Sequence, residues 1–159
     1  MARNLLRQLY SKWWRVTLQP GNYYFQNVTV SISSNASLTG SGVFLFLDVG
    51  SSFSHTASGA MNLSAPTSGT YAGVVIFHSR QSYKKSNKIT GSPDFILDGT
   101  IYMPTHDLTL GGSGTINNVA KAGYVIADTF TYNGSSTFTF DSYTGVVAPG
   151  MANKAVLVD

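Results

Sequence analysis

A glycine followed by a short apolar run recurs along almost the whole of this chain of 159 residues. Successive copies begin about 21 to 31 residues apart, within the ~20–50-residue period of solenoid repeats. The copies start at Gly21, Gly42, Gly73, Gly99, Gly123 and, more weakly, Gly145. Such a repeat predicts units that bury their apolar side chains only by stacking on one another. The repeat constrains the architecture and by itself points to no reaction.

The copies in 99–116 and 123–140 can be aligned on each other. Each is an apolar strand, a corner, a strand of alternating polar and apolar residues, a Gly/Ser/Asn turn and a third short strand. Three strands separated by corners in each ~22–26 residues is what one coil of a parallel β-helix requires. The leading glycine then has a role, because a corner needs a positive φ or a close approach to the neighbouring coil.

Composition also favours strands. All seven acidic residues are Asp, Glu is absent and Lys is scarce outside two short segments, whereas Thr, Val, Ile, Tyr and Phe are common and favour strands. The fold predicted is all-β: a single right-handed parallel β-helix, a solenoid, over residues 18–159. The handedness follows from the strong preference of parallel crossovers. An antiparallel β-sandwich is the alternative, although it gives no reason for the recurring glycine.

Residues 2–15 carry the one helical pattern. Apolar residues recur there at steps of three to four, and basic residues lie largely on the other side. We therefore predict that residues 1–17 form a short amphipathic helix that caps the first coil. A contact with a membrane surface or partner, or a non-native start, is the alternative. Arg7 and Lys12 interrupt the apolar residues, so no signal peptide is predicted. No stretch reaches the ~20 apolar residues of a transmembrane helix.

The net charge of +3 is unevenly distributed. Basic residues gather in the first fifteen residues and in 80–88, and the rest of the chain is mildly acidic. Nucleic-acid binding requires basic residues spread over a face, with aromatic residues placed to stack on bases. We predict no nucleic-acid partner. Cysteine is absent, which excludes disulfides and thiolate metal sites.

Candidate catalytic and metal-binding residues are few. Asp94 and Asp98 are four residues apart, which in a strand separates them by ~13 Å. His55, His78 and His106 could converge on neighbouring coils, but a metal site needs at least three well-placed ligands, and surface or corner positions are the simpler interpretation. No nucleophile elbow or phosphate-binding loop is present. We predict no enzyme activity, no catalytic residue, no metal and no cofactor.

The candidate interaction site is a basic loop in 80–88. Its residues are Arg80, Tyr83, Lys84, Lys85 and Lys88. A run of charges is ordinarily a solvated loop. The functional alternative is contact with an acidic polysaccharide, an anionic lipid or an acidic protein, with Tyr83 as an apolar contact.

Four segments carry a resemblance to a known family. Residues 18–25 contain a Pro-Gly-x-Tyr-Tyr opening, 61–77 include Ser-Ala-Pro-Thr-Ser-Gly-Thr-Tyr-Ala-Gly, 97–104 contain Gly-Thr-Ile-Tyr-x-Pro, and 125–129 end in Ala-Asp-Thr. In this order they resemble the extracytoplasmic C-terminal region of TadG-like Tad/Flp pilus-assembly proteins of bacterial envelopes. The likeness covers about residues 18–140.

The resemblance implies a non-enzymatic structural or interaction domain of a bacterial cell-envelope or surface apparatus, with a role in pilus assembly or adhesion. It also implies an extracytoplasmic location, secreted or in the envelope. The partners expected are envelope or pilus proteins, further copies joined through the solenoid ends, or an anionic glycan. A carbohydrate-binding or carbohydrate-active β-helix is the alternative function.

Overall fold

The computed structural model describes residues 10–11, 15–81, 83–91, 95–112, 115–118, 124–135 and 137–140. Within these ranges the chain consists of strands and the turns that join them, with no helix. The strands are β1 (Tyr10–Ser11), β2 (Arg15–Leu18), β3 (Gly21–Phe25), β4 (Thr29–Ile32), β5 (Ser37–Gly40), β6 (Val43–Leu47), β7 (Ser52–His55), β8 (Met61–Ser64), β9 (Val74–His78), β10 (Ser86–Gly91), β11 (Phe95–Asp98), β12 (Thr100–Gly112), β13 (Thr115–Asn118), β14 (Val125–Gly134) and β15 (Thr137–Phe140).

The strands stack in three walls. Wall A is the sheet β2-β5-β8-β11-β13-β15, and wall B holds β3, β6, β9 and the first parts of β12 and β14. Wall C holds β1, β4, β7, β10 and the second parts of β12 and β14. Every pairing among the described strands is parallel, and from β2 to β9 each strand pairs with the strand three further along the chain. The predicted parallel β-solenoid is confirmed, and the antiparallel sandwich is wrong.

Strand β12 turns the corner between walls B and C without a break. Its residues Thr100–Tyr102 pair with β9, and its residues Asp107–Gly112 pair with β10. Four coils run from β2 to β12, and β13, β14 and β15 continue the stack. In the coil before β12, the same corner carries a longer loop of residues 79–85. That loop is therefore an excursion from an otherwise regular wall.

The core consists of inward side chains in register from coil to coil. In wall B, Leu45, Ile76 and Ile101 form one such column, and each is at most 1% exposed. The alternation predicted for half-buried strands appears in wall C, where Val30 and Ile32 are buried and Thr29 is exposed. Strand β6 is also covered at Phe44, where the Tyr71 ring stacks on the phenyl ring at 4.0 Å between centroids.

The leading glycines adopt the conformations that the repeat predicted. Gly42 and Gly73 have φ of +68° and +78°, in the region that residues with a Cβ rarely occupy. Gly99 combines a φ of +148° with crowding, because a Cβ there would lie 2.7 Å from the Cβ of Ala65. Gly123 and Gly145 lie outside the described residues.

The predicted N-terminal cap is described only in part. Within residues 1–17 the described residues are strand: β1 pairs with β4, and β2 pairs with β5. The other positions of the predicted helix, 2–9 and 12–14, lie outside the described residues. Strand β2 of wall A runs from Arg15 to Leu18, so it spans the boundary predicted between residues 17 and 18. None of the described segments forms a helix with the length and apolar character that a bilayer crossing needs.

Candidate functional site: the loop after β9

The predicted interaction residues are placed by the loop of residues 79–85, which joins β9 of wall B to β10 of wall C. Residue 82 lies outside the described residues. Arg80, Tyr83 and Lys84 lie in the loop and are exposed, Lys85 is half-buried at its end, and Lys88 is exposed on the outer side of β10. The sequence therefore located the loop, but not the contacts that hold it.

One buried histidine closes the base of the loop. His106 comes from β12 of the next coil and is fully buried. Its Nε2–H donates to the carbonyl of Ser79 at 2.9 Å, and its Nδ1 accepts the backbone N–H of Lys85 at 3.1 Å. The two ends of the loop are thus bound to opposite nitrogens of one imidazole, an arrangement that requires the neutral ring with its proton on Nε2.

A second histidine packs on the first. The rings of His78, at the end of β9, and His106 are stacked with their centroids 3.6 Å apart, and both side chains are fully buried. Burial, with the neighbouring His106, lowers the pKa of His78 to about 4. His78 is therefore neutral at neutral pH, which allows two ionisable rings to lie in contact inside the wall.

Asn87 extends the buried polar group into wall C. Its Oδ1 accepts the backbone N–H of Phe53 at 2.9 Å, and its Nδ2 donates to the carbonyl of Asp107 at 3.3 Å. The same Nδ2 lies 3.5 Å from the Nδ1 of His78. One amide therefore links β7, β9, β10 and β12 at the place where the loop leaves the wall.

A second attachment comes from the loop itself. The Nζ of Lys84 lies 2.8 Å from Asp107 Oδ1 and 2.8 Å from Asp128 Oδ2. These carboxylates raise the pKa of Lys84, and Lys84 lowers the pKa of Asp107. The loop is thereby tied to β12 and β14, the next two coils. Lys84 is one of the candidate interaction residues, and its charge is paired within the chain.

Tyr83 and Arg80 are the loop residues most available to a partner. Tyr83 is 90% exposed. The guanidinium carbon of Arg80 lies 5.3 Å from the centroid of the Tyr102 ring, within the range of a cation–π contact. Lys88 is directed elsewhere, because it lies on wall C between Ser54 and Thr109 in register. The basic residues therefore do not form one patch.

An aromatic ladder runs along the outside of wall B, beside Arg80. Its rings are Tyr24, Phe46, Phe77 and Tyr102, with successive centroids 5.5, 5.6 and 4.8 Å apart. The two later contacts are nearly parallel, at 13° and 21°, so the faces of these rings cover one another. The sequence signal for this ladder is an aromatic residue three or four positions after each of the first four leading glycines.

The other candidate residues do not assemble into a centre. His55 lies in the core of wall C between Ile32 and Ile89 in register, and burial lowers its pKa. The expectation of surface histidines is wrong, because all three are fully buried, although His78 and His106 do lie at a corner. Asp98 pairs with Ser64 on wall A, and Asp94 lies outside the described residues. The described part of the chain holds no cluster of three or more potential metal-ligating side chains.

An open cleft of about 510 Å³ lies over wall A. Thr17, Asn62 and Asp98 are among its lining residues. The apolar side chains of Leu18 and Ile96 also line it.

Comparisons of the chain with protein-family models, with curated proteins and with solved structures found no match.

Proposed function

We propose that this chain is a non-enzymatic interaction domain of a bacterial cell-envelope or pilus apparatus, and that it binds its partner through the loop of residues 79–85. The observation that carries the proposal is Tyr83, which is 90% exposed on a loop whose two ends are bound by His106. An aromatic side chain presented on a fixed loop costs little conformational entropy on binding. Tyrosine and arginine are also the side chains most often dominant in protein interfaces.

The engagement of the ionisable groups supports binding rather than catalysis. Both ring nitrogens of His106 bind the loop backbone, and His78 is buried against it. Asp107 and Asp128 share the ammonium group of Lys84. A general acid or base must be within hydrogen-bond reach of a substrate, and these groups are occupied by the chain itself.

The envelope setting rests on the resemblance of residues 18–25, 61–77, 97–104 and 125–129 to TadG-like pilus-assembly proteins. It carries with it an extracytoplasmic location and an envelope or pilus protein as partner. We take the coil to be right-handed, as parallel crossovers nearly always are. The segment before β2 is assigned the role of covering the first coil, because an open solenoid end exposes strand edges and core side chains.

Site-specific photo-cross-linking in living bacteria tests this function. A photoreactive amino acid in place of Tyr83 should cross-link to an envelope or pilus protein identified by mass spectrometry. Adding Arg80→Ala should reduce the yield several-fold. The control position is Asn62, which is exposed on wall A and should give no such product. Equal products at both positions, or turnover of polysaccharides by the purified chain, would contradict the proposal.

Carbohydrate binding is the second candidate, and the open cleft over wall A favours it, because polar side chains such as Asn62 and Asp98 lie there beside the apolar side chain of Ile96. The aromatic ladder does not, because its ring faces are covered by one another and a sugar would need a free face. Salt-sensitive retention of the purified chain on an anionic polysaccharide, together with the absence of a cross-link at position 83, would favour this alternative.

A further inference from the structure

The loop of residues 79–85 is attached through groups that respond differently to acid. At its base, His106 holds both Ser79 and Lys85 by means of a neutral ring. Beyond the base, the attachment is an ion pair between Lys84 and two aspartates. The buried His78 ring lies directly against His106. The hydrogen bonds of His106 can therefore change with pH while Lys84 and its two aspartates stay charged.

We propose that His78 and His106 form a proton-sensitive clamp, and that protonation of this buried pair in acid releases the Lys85 N–H at the base of the loop from His106. This inference concerns the regulation of the binding site and rests on the proposed function only for its biological purpose.

Protonation is incompatible with the observed contacts. The Nδ1 of His106 accepts the N–H of Lys85, and a proton added there would place two donors against each other. A charge on either ring is also costly, because the centroids are 3.6 Å apart and both side chains are fully buried. The bond from the Lys85 N–H to His106 is the one that must break, whereas the Lys85 carbonyl still accepts the Asp107 N–H at 3.0 Å.

The charged groups around the pair come from four segments. Asp48, after β6, favours the charged form of His78, whereas Lys85 in the loop opposes it. Asp107 on β12 interacts electrostatically with His106. Lys84 in the loop and Asp128 on β14 complete the set through the ion pair. Asp107 interacts with His106 and also binds Lys84. If the His106 ring becomes charged, the imidazolium and the ammonium group of Lys84 both interact with this one carboxylate.

The pH range follows from the groups themselves. An unperturbed histidine titrates near pH ~6.5, and the pKa of His78 is about 4. The pKa of Asp107 is lowered and that of Lys84 is raised, so their ion pair keeps both charges over this interval. A change in the loop between pH ~6.5 and ~4 is therefore assigned to the histidines.

Backbone dynamics of the whole ¹⁵N-labelled chain test the clamp. At pH 7.5 the amide of Lys85 should have an order parameter near the ~0.85 of rigid backbone, and at pH 4 it should fall toward the ~0.6 of flexible segments. The ring ¹⁵N shifts of His78 should change over the same interval. The internal control is the amide of Thr56, which donates to the carbonyl of Ile32 at 2.8 Å and should stay rigid throughout.

Two variants identify the responsible groups. In His106→Gln the amide can still accept from Lys85 and donate to Ser79 without titrating, so the change at Lys85 should disappear. His78→Leu places at this position the residue found in register one coil earlier, Leu47, and should alter the midpoint or the steepness of the change.

Three results would overturn the clamp: a Lys85 amide that stays rigid to pH 4, simultaneous loosening of Lys85 and Thr56, or an unaltered transition in both variants. The outcome is separable from that of the function. Release of the Lys85 amide without a cross-link at position 83 would support the clamp and contradict the proposed function. A cross-link at position 83 without release of the Lys85 amide would support the proposed function and contradict the clamp.

Discussion

His106 adds side-chain hydrogen bonds at the corner that carries the loop of residues 79–85. At the corner after β3, neighbouring coils are joined by backbone hydrogen bonds, as between Asn27 and Val49. At the long loop such bonds remain at both ends, from the Ser79 N–H to the Leu47 carbonyl and from the Asp107 N–H to the Lys85 carbonyl. The two imidazole nitrogens of His106 bind Ser79 and Lys85 as well, because the donor and the acceptor of the ring point in opposite directions.

A prediction at this scale concerns the leading glycines. Gly73→Ala should lower the free energy of unfolding by about 1–2 kcal/mol, because alanine is disfavoured at positive φ. Gly99→Ala should cost clearly more, since its Cβ would also lie 2.7 Å from Ala65 Cβ. Gly73 is the matched control, because a Cβ there meets nothing within 4 Å. Urea unfolding of the two variants measures the difference, and equal losses would show that the crowding at Gly99 is relieved by small movements.

The element that organises wall B is the aromatic ladder. Phe77 has ring neighbours on both sides, Phe46 at 5.6 Å and Tyr102 at 4.8 Å, whereas Tyr24 at the end of the ladder contacts Phe46 at 5.5 Å. Aromatic pairs contribute about 0.5–1.5 kcal/mol beyond the burial of their area. The stack therefore stabilises the contact between coils from outside, as the aliphatic columns do from inside.

From this we expect Phe77→Leu to destabilise the protein by about 2 kcal/mol, through two lost ring contacts. Tyr24→Leu, at the 41% exposed end of the ladder, should cost less than about 1 kcal/mol. Thermal and urea unfolding of both variants would measure this order. A larger loss at Tyr24 would mean that the ring stacking does not determine the stability of the wall.

For the whole molecule, buried histidines make stability depend on pH. His55 and His78 are held neutral by the fold, and the pKa of His78 is about 4. In the unfolded chain both would titrate near pH ~6.5. Because the unfolded state then binds more protons than the folded state, stability is complete above pH ~6.5 and is lost as the pH falls toward ~4.

The expected size of this effect is roughly 3 kcal/mol from His78 alone. It can be measured as the difference in urea unfolding free energy between pH 7.5 and pH 4. His78→Leu should remove most of the contribution of this residue and leave that of His55. A wild-type stability that is flat over this range would show that the buried rings are protonated without penalty.

The period and alternation of the chain were sufficient to predict the parallel solenoid, the role of Gly42 and Gly73 and the position of the basic loop. Each of these depends on spacing along the chain, which is visible in one sequence. The same information did not reveal the ion pairs of Lys84 or the burial of the histidines. Whether the Lys84 side chain faces solvent or Asp128 depends on the register between the coil that carries the loop and the second coil after it. The spacing of residues along the chain does not define that register when a loop interrupts the repeat.

The sequence by itself determined that strands of this chain must stack as coils, because their apolar side chains have no other way to leave water. Only the tertiary structure decided which contacts hold the loop of residues 79–85 at the corner between β9 and β10. The register that brings His106 under Ser79 and Lys85, and Asp107 and Asp128 around Lys84, arises from the packing of neighbouring coils. Hydrogen bonds and ion pairs depend on distances of a few ångströms, and those distances are set between coils, not along the chain.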